Sequence, residues 1–202
     1  GTIIRSMMRI ALCYQGGVMW EMQAGMGDTV FTPYYEVLKR RGVNFHFFNQ
    51  VDNLECVNHS IQAIEITEQV ALKQGVESYS PLVDVKGLDC WPSQPKLEEL
   101  DETQAQLIKQ HDVNLEHFWS NWQEVYQAHY GQPLPKKRLE KGKDFDKVIF
   151  GLSIGSVPHV AKEVMEQSEV LSKSVEKVKT VATTPTNLKV IRQSYFAAIQ
   201  MP

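Results

Sequence analysis

The residues whose types and spacing suit chemistry lie in two places. Gly151-Leu152-Ser153-Ile154-Gly155 is a G-x-S-x-G run between an apolar stretch and a helical pattern. In a strand–turn–helix setting this spacing puts a serine hydroxyl on a tight turn, open to a base and to backbone N–H donors, as a serine nucleophile requires. That chemistry also needs an acid and then a histidine farther along the chain. The only histidine after Ser153 is His159, and no acidic residue stands between them. Six residues on, His159 falls in the first turn of the same helix, so a triad in that order cannot be assembled. Cys56 and His59 form a C-x-x-H pair of the kind that binds zinc. A tetrahedral site needs two more ligands, and no second CxxC or HxxxH pair exists, so no metal is expected. His111, His117 and His129 lack the i, i+4 spacing of a helical ligand pair and read as surface residues.

The elements that must position these residues are organised around residues 25–54. Val30, Phe31, Tyr34, Tyr35, Val37 and Leu38 recur with the period of a one-sided helix. Lys39, Arg40 and Arg41 oppose the helix dipole at its end, and Gly42 supplies a left-handed stop. Pro33 has no N–H to give Thr29, so the helix either starts at Thr32 or passes through a looser first turn. Val43, Phe45 and Phe47 then alternate through a strand expected over residues 43–54. Strands over 61–68 and 70–73 would complete a meander.

Residues 75–95 read as a long connection, in which Cys90 and Trp91 either approach a substrate or anchor the loop. Two helices follow. Leu97, Leu100, Leu107 and Ile108 mark the first; a dense aromatic stripe from Leu115 to Tyr130 marks the second, which stops at Gly131. The basic run 136–143 reads as a solvated edge or hairpin. Residues 145–150 read as a buried strand, apolar on consecutive positions at Val148-Ile149-Phe150, as when both faces are covered. A helix capped by Ser156 should carry Val157, Val160, Ala161, Val164 and Met165, and another is expected over 169–180. Residues 2–14 suit a short sulfur-rich helix, 18–22 a strand, and 180–184 a further strand.

The chain has 202 residues, 43% hydrophobic and 22% charged, enough for one domain with a substantial core or one domain with a small appendage. A net charge of −3 gives no pull toward nucleic acid or anionic membrane, and no stretch is apolar enough for a transmembrane segment. Three widely spaced cysteines do not make a disulfide scaffold, and a reducing, cytoplasmic setting is the default. Residue 1 is glycine, which suits a piece of a longer polypeptide.

Gly25-Met26-Gly27-Asp28, the helix holding Tyr35-Glu36-Val37-Leu38, Lys39-Arg40-Arg41-Gly42-Val43 and the strand ending in Val51-Asp52-Asn53-Leu54 together resemble the middle of FAD-dependent oxidoreductases. The branch is that of flavin amine oxidases and phytoene-desaturase-like enzymes, and the resemblance covers roughly residues 20 to 183. It implies an α+β (mixed α/β) fold: residues 1–74 as part of an FAD-binding domain, 75–135 as a connection and helical part of a substrate domain, and 136–202 as the return to the FAD domain. It implies that Val51 lays its backbone against the adenine. It also implies that Asp146-Lys147-Val148-Ile149 re-enters the FAD domain, with Gly151, Leu152 and Ser153 small or closely placed enough to approach the cofactor. The implied activity is oxidation or desaturation of a small organic substrate by hydride transfer to FAD. No catalytic residue is assigned, because no motif here matches one.

No G-x-G-x-x-G opens a βαβ unit in the chain, and no glycine-rich C-terminal segment closes over a flavin. The chain alone is therefore expected to be inactive, with FAD held by the full-length protein and a strand, glycine loop and helix encoded upstream of Gly1. The alternatives are a non-catalytic binding module on the same scaffold, or a serine hydrolase using residues 151–155.

Overall fold

A computed structural model describes residues 1–13, 15–16, 24–117 and 119–178. The strands expected over 18–22 and 180–184, and the tail 185–202, lie outside the described residues. Within them the chain is a mixed α+β protein: seven α-helices, a three-stranded antiparallel sheet and a separate β-hairpin.

Helix α1, Thr2–Cys13, forms as its sequence period predicts, and none of its residues is buried. The chain then passes through a π-helical turn, Gly27–Phe31, directly into α2, Thr32–Arg40. Pro33 explains the widened turn. Without an N–H at 33, the preceding residues shift to i→i+5 bonding, and both the backbone N–H and the Oγ1 of Thr32 donate to Gly27 O. Gly42, at φ +86°, ends the helix as expected.

The strand expected over 43–54 begins only at Asn49, because Phe48 takes a φ of +57° and breaks the extended run. Strand β1, Asn49–Val57, turns at Asn58-His59 into β2, Ser60–Glu68. Both turn residues have positive φ, the geometry that matches the twist of a two-residue hairpin. The third strand is not 70–73, which contributes only a bridge from Leu72 to Leu100. Instead the basic run supplies it: β5, Lys136–Glu140, pairs antiparallel with β2, giving the order β1-β2-β5. Charge explains the choice. Arg138 lies opposite Glu65 and also meets Glu55 of β1 and Glu140, so one guanidinium gathers three carboxylates across the sheet.

Residues 75–95 are not merely a connection. They contain the hairpin β3, Val83–Val85, and β4, Leu88–Cys90, joined at Lys86-Gly87 with both φ angles positive. Helix α3, Glu102–Gln110, is capped by Asp101, whose carboxylate accepts from Thr103 N and Gln104 N. The expected long second helix is shortened to α4, Trp122–Tyr130, and stops at Gly131 with φ +69°. Leu100, Ile108, Trp122, Tyr126 and Leu134 form the larger core.

The helix expected from Ser156 is divided into α5, Val157–Val160, and α6, Lys162–Gln167, with the break at Ala161. Ser156 does not cap it; its hydroxyl donates back to Ser153 O. Helix α7, Glu169–Lys177, follows, capped by Ser168. Leu54, Val157 and Ala161 make a second, smaller core between β1 and these helices.

The largest departure from expectation is at residues 145–150. Phe145 only bridges to Lys141, and residues 147–150 form no strand. Ile149 is 76% exposed and Phe150 37% exposed. A strand at 147–150 beside the strand after Gly42, or in a directly adjoining sheet, is therefore absent among the described residues. A strand covered on both faces needs neighbours on both edges and a layer above and below, and the small sheet here offers neither.

Candidate functional site

The residues singled out for cofactor contact sit around the second core. Val51 is half-buried on β1 and packs against the Leu54–Val157–Ala161 cluster. Gly151, Leu152 and Ser153 are exposed and lead into a 3-10 turn, Ile154–Ser156, whose Ile154 packs on that same cluster. Two segments a hundred residues apart thus converge on one small core.

Beside Val51 the register of β1 against β2 slips, placing Asp52 at a bulge. Its carboxylate accepts from Thr67 Oγ1 at 2.5 Å and from Gln50 Nε2 at 3.1 Å, with Lys136 Nζ at 3.8 Å. Asp52 is held as a structural group of the sheet.

The outer edge of β1 is closed by side chains. Glu163 accepts from Cys56 N at 2.8 Å and from Asn53 Nδ2 at 3.1 Å. One turn later, Gln167 donates to Cys56 O at 2.6 Å and accepts from His59 N at 2.7 Å. This i, i+4 pair on α6 occupies backbone groups that an added strand would use. Nothing in the sequence separates Glu163 and Gln167 from ordinary surface residues of a helix, so this contact was not legible there.

The Cys56 N–H, then the Asn53 amide, hold the Glu163 carboxyl below its ordinary value of 4.5. A lowered folded-state pKa adds stability that is fully present above 4.5 and fades as pH falls through the folded value. We expect Glu163→Gln to cost about 1 kcal/mol at neutral pH, discounted for partial exposure, and the difference from wild type to shrink as pH falls below 4.5 through the folded value. Urea midpoints across that range check it. A cost that does not change with acidification would remove the carboxylate from this role.

The G-x-S-x-G run does not take elbow geometry. No strand precedes it, and Ser153 has φ −64° and ψ 154°, an unstrained extended conformation. Its carbonyl is tied up by Ser156 N and Oγ, and its own hydroxyl makes no hydrogen bond among the described residues. His159 stands with its ring edge-on to Trp119, 5.4 Å between centroids.

Cys90 and Trp91 serve as an anchor. Cys90 is buried, and Trp91 N donates to the buried Asp28 at 3.0 Å. The Trp91 ring meets Tyr35 at 5.3 Å. Cys56 is buried and His59 sits on the turn. Among the described residues no group of three His, Cys, Asp or Glu is arranged to hold a metal ion, and no helix is long and apolar enough to cross a membrane.

An FAD diphosphate requires a cluster of backbone N–H donors at a helix start. The helix after Gly151–Ser153 is four residues long, and the loop is open: a Cβ at Gly151 would meet nothing within 4 Å, nor does its φ call for glycine. The loop 151–153 therefore does not by itself form a diphosphate cradle. No family model, curated protein or solved structure matches the chain.

Proposed function

We propose that this chain is the central part of an FAD-dependent oxidoreductase of the amine oxidase and phytoene desaturase type, acting in full-length form on a small organic substrate. The observation that supports this reading is the convergence of Val51 and Ile154 on one small core. The resemblance assigns cofactor contact to Val51 and to residues 151–153, and the fold brings those two segments together. The exposed apolar run through Ile149, Phe150 and Leu152 supports it further. A chain complete at this surface would gain nothing by leaving three large apolar side chains in water, roughly 25 cal/mol for each Å² of apolar surface left uncovered. In this reading a dinucleotide-binding half supplies the cradle that the loop 151–153 does not form.

Cofactor content tests it. The chain purified alone is expected to be colourless and to bind FAD weakly or not at all, whereas a product that includes the upstream coding sequence should carry flavin absorbance. Stoichiometric flavin in the chain alone would overturn the fragment reading. A colourless longer product would overturn the oxidoreductase reading in favour of a non-catalytic binding module. Stoichiometric labelling of Ser153 by a fluorophosphonate would restore the hydrolase.

A further inference from the structure

A cleft of about 720 Å³ lies away from the β1 edge, between α2, the segment 43–49 and the start of the larger core. That is within the usual range for a small-molecule site, roughly 300–1,000 Å³. Its wall is a chain of aromatic rings in edge contact. Phe45 meets Tyr35 at 4.7 Å, Tyr35 meets Phe47 at 6.3 Å, and Tyr79 meets both Phe47 and Phe48, at 5.4 and 4.8 Å. Phe48 holds this position at φ +57°, a conformation that a bulky side chain rarely adopts and that is found at ligand clamps. The strain is fixed from behind, where Gln69 N donates to Phe48 O at 2.7 Å.

Three polar side chains that line the cleft are more than nine-tenths buried: Tyr35 at 7% exposed, Gln104 at 9% and Tyr126 at 6%. Gln104 is oriented by Ala71 N, which donates to its Oε1 at 3.0 Å, so the amide Nε2 is the end left over. Neither that Nε2 nor the hydroxyl of Tyr35 or Tyr126 makes a hydrogen bond among the described residues, and none of the three atoms is sealed from solvent. All three residues line the cleft, and these donors are not spent on the protein. The rim bears Lys39 and His46 as well as Glu68 and Glu77, so it selects no net charge.

We propose that this cleft binds a planar, uncharged aromatic molecule bearing a carbonyl oxygen. The ring system stacks on the aromatic wall, and the oxygen accepts from Gln104 Nε2 and the Tyr126 or Tyr35 hydroxyl. The site stands independently of any flavin.

The test uses 2-naphthamide as probe, with naphthalene and cyclohexanecarboxamide as controls lacking the acceptor and the ring system, titrated by ligand-observed NMR. The whole chain is expected to bind 2-naphthamide saturably and more tightly than either control. Tyr126→Phe with Tyr35→Phe keeps both rings and should weaken 2-naphthamide about tenfold, the worth of one hydrogen bond, while leaving naphthalene unchanged. Gln104→Leu should do the same. Because that change also strips Ala71 N of its acceptor, the tyrosine pair carries the decision. No binding of 2-naphthamide up to its solubility, equal affinity for the amide and naphthalene, or an unaltered affinity in the tyrosine pair would each overturn the proposal.

Discussion

Replacing Trp122 with alanine is expected to lower stability by about 4 kcal/mol, the upper part of the range for deleting a large buried aromatic. Trp122 is 2% exposed at the centre of the larger core, and its ring meets Tyr126 edge-on at 5.8 Å. It is also a polar link. Its Nε1 donates to Gln69 O at 2.7 Å, and the same Gln69 donates its N–H to Phe48 O and its side-chain amide to Leu115 O. Trp122→Ala would open a cavity and leave the part-buried Gln69 carbonyl without its donor. Trp122→Phe separates these effects, keeping most of the packing while losing the hydrogen bond, at about 1–2 kcal/mol. Urea unfolding of the two variants measures both. Equal losses would show that the indole N–H dominates; a loss under about 1 kcal/mol for alanine would contradict the placement of this ring in the core.

Asp28→Ala is expected to cost about 2 kcal/mol and to expose a thiol. Asp28 is 3% exposed, in the π-helical turn before α2, and its Oδ1 accepts from Trp91 N. Removing the carboxylate leaves that N–H without its acceptor and loosens the end of the β3–β4 hairpin from the π-helical turn. Asp28→Asn retains an acceptor oxygen and should cost less than half as much. Cys90 gives a second readout, since in the wild type it is buried next to the clamp while Cys13 is exposed. A thiol reagent should modify Cys13 quickly in all three proteins, and Cys90 quickly only in Asp28→Ala. Unchanged Cys90 protection in a folded Asp28→Ala protein would mean that other contacts hold the hairpin.

The sequence announced those elements whose signals are local. The period from Val30 to Leu38, Pro33 and Gly42 bounded α2, because amphipathicity, a missing N–H and a positive φ act within a few residues. Gly131 likewise marked the end of α4. The hairpin between 83 and 90 also had a local signal, Lys86-Gly87 between short apolar runs, which the reading of 75–95 as a connection passed over. The aromatic stripe from Leu115 promised more helix than formed: periodicity shows which residues share a face, and Asn114 and Ser120 bind nearby backbone N–H groups that the helix would have needed.

What tertiary structure alone decided were the pairings across long separations. Whether β2 took residues 70–73 or 136–140 as its neighbour depended on Arg138 meeting Glu55 and Glu65, and no local pattern ranks those partners. The closing of the β1 edge by Glu163 and Gln167 required a break at Ala161 that carries no glycine or internal proline. The apolar run at 148–150 read as a covered strand because hydrophobicity records what a segment prefers to bury. Whether anything is there to bury it is a property of the surrounding surfaces, and the described residues leave Ile149 and Phe150 in water. Val51 and Ile154 likewise pack on one core only because the chain folds back on itself. Side-chain chemistry and short-range geometry are written in the sequence residue by residue, but the entropy of closing loops of about a hundred residues is recovered only where complementary surfaces meet.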